Sequence, residues 1–106
     1  MYADQKERLE VRAGVLKAMA HPVRLFVIEA LAGGERNVQE LTAAIGMDMS
    51  TVSRHLSVLR NTGIVDCEKR GNRVFYRLHV PCVLRFFTCV EQFLQSRARK
   101  RSRGLP

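Results

Sequence analysis

The run from Ser50 to Asn61 concentrates groups that can donate hydrogen bonds: Ser50, Thr51, Ser53, Arg54, His55, Ser57 and Asn61, with no aspartate or glutamate among them. Short hydroxyls, a guanidinium, an imidazole and an amide all suit phosphate oxygens or base edges. A carboxylate there would face the phosphate backbone and oppose binding, whereas an ordinary solvated helix face usually mixes in glutamate. A second basic group follows at Glu68-Lys69-Arg70-Gly71-Asn72-Arg73. Lys69, Arg70, Asn72 and Arg73 surround a tight turn whose tip can reach phosphate or a minor groove. The plainer reading of each is a solvent-facing helix and a soluble turn.

The elements that must position these groups are legible in the hydrophobic spacing. Leu9, Ala13, Leu16 and Ala20 recur at helical intervals, so a first amphipathic helix is expected from Asp4 to Met19. His21-Pro22 breaks it, and proline suits the first position of a second helix running to about Ala32. Asn37 with Glu40 has the form of a capping box for a third helix that ends at Gly46. Asp48 caps a fourth that continues to about Asn61. At about 100° per residue this fourth helix packs Val52, Leu56 and Leu59, exposes Ser50, Thr51, Arg54, Ser57 and Asn61, and leaves His55 at the border. Two short helices around a glycine-containing turn form a helix-turn-helix.

Strands are expected at Ile64 to Arg70 and Arg73 to Leu78, joined by Gly71-Asn72 as a hairpin. Pro81 opens a last helix carrying Val83, Phe86, Phe87, Val90, Phe93 and Leu94 as a broad apolar stripe. The expected fold is mainly α with a small β-hairpin, a winged helix-turn-helix in the order α-α-α-α-β-β-α.

A chain of 106 residues, 46% hydrophobic, is sized for one folded domain. The net charge is +8, and Arg97, Arg99, Lys100, Arg101 and Arg103 supply much of it; without these five bases the remainder carries only +3. Residues 1–96 are therefore expected to form the domain and 97–106 a basic, disordered tail. A polyanionic partner is favoured by both. No apolar run approaches the roughly 20 residues of a membrane span, and Asp4, Lys6, Glu7 and Arg8 do not suit a secretory signal. Three cysteines, Cys67, Cys82 and Cys89, are odd in number and irregularly spaced, which points to reduced thiols and a cytoplasmic setting. Catalysis is not expected: Ser50, Ser53, Ser57 and His55 lack an acid to orient a base, and no phosphate-cradling glycine loop is present.

The strings A-H-P-V-R-L at 20–25, E-L-T-A-A-I-G at 40–46, S-T-V-S-R-H-L-S-V-L-R at 50–60, G-I-V at 63–65 and G-N-R-V-F-Y-R-L at 71–78 together resemble the ArsR/SmtB family of metalloregulatory repressors. The resemblance spans Leu16 to Leu78, with the last helix matched by position only. It implies a homodimer held by the first and last helices, binding an inverted repeat in double-stranded DNA and released by an inducer. The apolar stripes of those two helices agree with such a dimer.

The family's Cys-Val-Cys sensor falls on Asn37, Val38 and Gln39 and is absent, and His79 alone does not supply the family's zinc site on the last helix. Cys82 and Cys89 remain, seven residues apart and on one face of the expected helix. Their Cα atoms would lie about 10.5 Å apart. That is too far for one ion, whose thiolates sit within roughly 4 Å of each other, and too far for a disulfide, which needs about 7 Å or less. Across a dimer, Cys82 of one chain could meet Cys89 of the other. Thiolates without histidine favour trivalent arsenic or antimony as the inducer. The alternatives are a redox or persulfide switch between the same thiols, cysteines that merely pack, and a DNA-binding regulator without a sensor.

Overall fold

Proline after histidine sets the first corner of the chain. In the computed structural model, which describes residues 1–102 and 104, α1 (Tyr2–Met19) stops there and α2 (Pro22–Ala32) begins with Pro22 at its first position. His21 is extended, and its Nδ1 accepts a hydrogen bond from the Val23 amide at 3.1 Å, satisfying a donor left free at the helix start. Asn37 and Glu40 form the expected capping box at α3 (Val38–Ile45): Glu40 N donates to Asn37 Oδ1 at 2.8 Å and Asn37 N to Glu40 Oε1 at 3.1 Å. Gly46 closes α3 in the left-handed region at φ 78°, where a side chain would be strained. Asp48 then caps α4 (Met49–Asn61) by accepting from Thr51 N.

The wing is β2 (Val65–Arg70) paired antiparallel with β3 (Arg73–Leu78), with Cys67 opposite Tyr76 and Arg70 opposite Arg73. A third strand, β1 (Arg36–Asn37), adds to the far side of β3, giving the order β1-β3-β2. Sequence periodicity did not reveal it, because two residues cannot display an alternation and Asn37 reads only as a cap. The remaining elements follow the expected order, and no helix among the described residues is long and apolar enough to cross a membrane.

The core gathers Val27, Ile28 and Leu31 of α2, Leu41 of α3, Val52, Leu56 and Leu59 of α4, and Ile64, Val65 and Tyr76 at the sheet, closed by Ala18 and Met19 at the end of α1. The last helix differs from expectation at both ends. Pro81 and Cys82 form a turn, with Val83 N donating to Val80 O and Leu84 N to Pro81 O, and α5 proper runs Val83–Ser102. Residues 97–102, expected to be disordered tail, are helical. Arginine, lysine and alanine are good helix formers, and positive charge in the final turn suits the negative end of the helix dipole. Arg103, Leu105 and Pro106 of that expected tail lie outside the described residues.

α5 buries no residue fully. Val83, Leu84 and Phe87 pack on the core, whereas Phe86, Val90, Phe93 and Leu94 are exposed, as are Leu9, Val11 and Leu16 of α1. Between α1, α2 and α5 lies an apolar cleft of about 500 Å³ bordered by Leu16, Met19, Leu25, Phe87 and Leu94. The molecule thus has a dry centre around α4 and an uncovered flank along α1 and α5. Leu56→Ala should lower unfolding stability by about 2–5 kcal/mol, because it opens a cavity where Leu56 has no solvent exposure. Urea unfolding followed by circular dichroism checks this.

Candidate nucleic-acid interface

Burial of Val52, Leu56 and Leu59, each at 0% exposure, fixes the rotation of α4. The opposite face carries Ser50, Arg54 and Ser57 in full view of solvent, with Asn61 beyond them and Thr51 and Ser53 half-buried at its margins. Arg54 has no ion-pair partner among the described residues. Its guanidinium therefore remains free for an external acceptor.

His55, expected at the border of the two faces, does lie there. Half-buried, it accepts a hydrogen bond at Nδ1 from Arg24 Nε at 3.1 Å, and its ring lies 4.3 Å from that of His21. Arg24 also donates through Nη1 to the Ala18 carbonyl at 3.1 Å. His55 thus faces the junction of α1, α2 and α4 and positions the helix. Arg24 is the residue that sequence reasoning missed, since nothing in periodicity pairs residues 31 apart. Burial, followed by the nearby His21, Arg24 and Arg54, pushes the His55 pKa below its ordinary value.

The start of α4 holds a carboxylate. Asp48 accepts from Thr51 Oγ1 at 2.7 Å, from Thr51 N at 3.0 Å and from the Ser50 hydroxyl. These bonds, that from Ser50 foremost, hold the Asp48 carboxyl far below the usual carboxylate range. The cap itself was legible, but its grip on two expected DNA contacts was not. Asp48 and His55 engage different partners.

At the wing, Lys69, Asn72 and Arg73 are exposed around the Gly71 turn, and neither Lys69 nor Arg73 has an ion-pair partner among the described residues. Arg70 is occupied instead. It pairs with Glu35, approaches Glu68 at 3.8 Å and lies 4.1 Å over the Phe75 ring. Arg77 reaches Glu68 at 3.3 Å and Glu35 at 3.6 Å. This lattice braces the wing to the segment before β1, so Arg70 is a strut more than a free tip charge.

Cys82 and Cys89 are exposed and Cys67 is half-buried opposite Tyr76. Because Cys82 sits in the turn before α5, the two thiols do not share one rigid helix. Among the described residues no three histidine, cysteine, aspartate or glutamate side chains cluster to hold a metal ion.

The unfolded chain protonates His55 at its ordinary value near 6.5, whereas the folded chain does so only at lower pH. Stability should therefore fall as pH drops through about 6.5 and level off below the folded value. Urea midpoints between about pH 7.5 and 5 should show this loss, and His55→Phe should reduce it.

Comparison with known proteins agrees with this geometry. Residues 21–66 match the family model described as bacterial regulatory protein, arsR family. The biofilm growth-associated repressor of Xylella fastidiosa is 41% identical over 75 residues, covering 71% of this chain and 66% of the relative, just under two thirds of its length. An uncharacterised helix-turn-helix-type transcriptional regulator of Mycobacterium tuberculosis is 30% identical over 86 residues, covering 80% of this chain and 75% of the relative. The homodimeric winged helix-turn-helix DNA-binding domain from Mycobacterium bovis, solved in solution, superposes with a TM-score of 0.74 at 34% identity, covering 92% of this chain and 91% of that one. Such likeness extends well past the matched motif, and the chain belongs to the ArsR family of bacterial regulatory proteins.

Proposed function

We propose that the chain is a homodimeric, cytoplasmic transcriptional repressor that binds double-stranded DNA and leaves it when a thiophilic inducer, trivalent arsenic or antimony, engages Cys82 and Cys89. The observation that carries the DNA-binding reading is the acid-free outer face of α4, with Ser50, Arg54 and Ser57 exposed opposite three residues fully withdrawn from solvent. Arg54 suits guanine or phosphate, and Ser53, Ser57 and Asn61 suit either edges or backbone. Lys69, Asn72 and Arg73 at the wing reach phosphate or the flanking minor groove.

The dimer rests on the exposed apolar residues of α1 and α5, which water would otherwise cover at a cost of about 25 cal/mol per Å². Two-fold symmetry then sets two α4 helices into successive major grooves, about 34 Å apart, and calls for an inverted repeat. Cys89 lies one turn after the exposed Phe86 on α5 and Cys82 just before the helix start, so a second α5 packed on this flank would bring partner thiols near them. Soft thiolates without histidine select a soft ion.

Exposure of both thiols also favours a second reading of the same site, a redox or persulfide switch between Cys82 and Cys89 of opposite chains. The test is fluorescence anisotropy of the reduced protein on DNA from its own promoter region, with arsenite added to the preformed complex. Release near one equivalent, abolished by Cys82→Ser or Cys89→Ser, is expected. A complex indifferent to arsenite but released by oxidant would replace the metal reading with the redox one, and indifference to both would leave a regulator without a thiol sensor.

A further inference from the structure

We propose that Asp48 is a specificity-determining residue: by taking the hydroxyl protons of Ser50 and Thr51 it leaves both side chains as acceptors toward DNA. The start of α4 then selects the amino groups of cytosine or adenine and discourages phosphate. The inference rests on the DNA-binding reading above.

Each hydroxyl has a single proton to donate, and an ionised carboxylate can only accept. Here both Asp48 oxygens are engaged, Oδ1 by Thr51 Oγ1 at 2.7 Å and Oδ2 by Thr51 N at 3.0 Å and by Ser50. What Ser50 and Thr51 can still offer outward is lone pairs. In the major groove the donors that match are cytosine N4 and adenine N6, whereas guanine N7 and O6, thymine O4 and phosphate oxygens are all acceptors. Unlike Arg54, these two side chains therefore discriminate between bases and cannot anchor to the backbone.

Helix capping alone does not explain the arrangement. A cap needs one bond from the N2 or N3 amide, and asparagine serves as well as aspartate. At α3 the same chain uses Asn37, whose cap is closed by Glu40 and takes no hydroxyl. At α4 it places a charged residue on an exposed helix start and adds two hydroxyl bonds. A negative charge at that position weakens attraction to any phosphate, so it sacrifices general affinity and is compensated only where the bases match.

The experiment uses the full chain, wild type and Asp48→Asn, to select duplexes of about three helical turns from a randomised pool. Anisotropy on one random-sequence duplex at about 50–200 mM salt accompanies it. Asparagine keeps an acceptor for the Thr51 amide, so the helix start should still form and the far-ultraviolet circular dichroism of the folded protein should be unchanged. It cannot hold the hydroxyl protons in the same way, and it carries no charge. Asp48→Asn should bind random duplex about three- to ten-fold tighter and should lose about ten-fold in preference for cytosine or adenine at the positions under the helix start. Thr51→Val, which removes an acceptor but keeps Asp48, should lose part of that preference without the general tightening. Identical selected motifs and equal random-DNA affinity for wild type and Asp48→Asn would overturn the inference while leaving DNA binding intact. A wild-type protein that binds random duplex but enriches no motif would likewise overturn the inference, and one that binds neither the pool nor the random duplex would overturn the DNA-binding reading itself.

Discussion

The seating of one helix governs what the rest of the molecule presents. Val52, Leu56 and Leu59 of α4 lie at 0% exposure, in one cluster with Val27, Ile28, Leu31, Leu41, Ile64 and Val65. Each such side chain gains roughly 1.5–3 kcal/mol on leaving water. A shift of one residue would rotate the helix by about 100° and turn that apolar face out. The opposite face is therefore determined by packing, and its chemistry is whatever the sequence put there. Arg24 adds a polar brace, tying His55 of α4 to the Ala18 carbonyl at the end of α1.

Charge is distributed to match. The acids nearest the proposed interface are committed inside the protein: Glu35 and Glu68 to Arg70 and Arg77, and Asp48 to the two hydroxyls of α4. Exposed ion pairs contribute little stability, but this lattice fixes where the hairpin stands relative to the helix. On the outer face of α4 and at the hairpin turn, Arg54, Lys69 and Arg73 have no ion-pair partner among the described residues. An overall charge of +8 then attracts a polyanion at long range.

Features encoded by neighbouring residues were legible from the sequence. His21-Pro22, the Asn37 and Glu40 box, Gly46, Asp48 and Gly71 act within a few positions of themselves, and the expected helices and hairpin appear where those residues put them. Legibility ends where distant parts meet. Two residues of β1 become a strand only because β3 lies beside them, and His55 turns inward because Arg24 of another helix reaches it. Arg70 reads as a free base until Glu35 and Phe75 are seen around it. At the last helix the error was compositional: a run of arginines looks like a tail, although the same residues extend a helix readily when one already exists.

Two copies joined along the uncovered apolar flank of α1 and α5 would carry two outward faces of α4 at a fixed separation. The central claim is that those faces enter the major groove. Dimethyl sulfate footprinting on the promoter fragment tests it most directly, because the reagent marks guanine N7 in that groove. The account predicts two protected patches about 10 base pairs apart, lost in Arg54→Ala while the protein remains folded. Tight binding with every guanine N7 still reactive would contradict it.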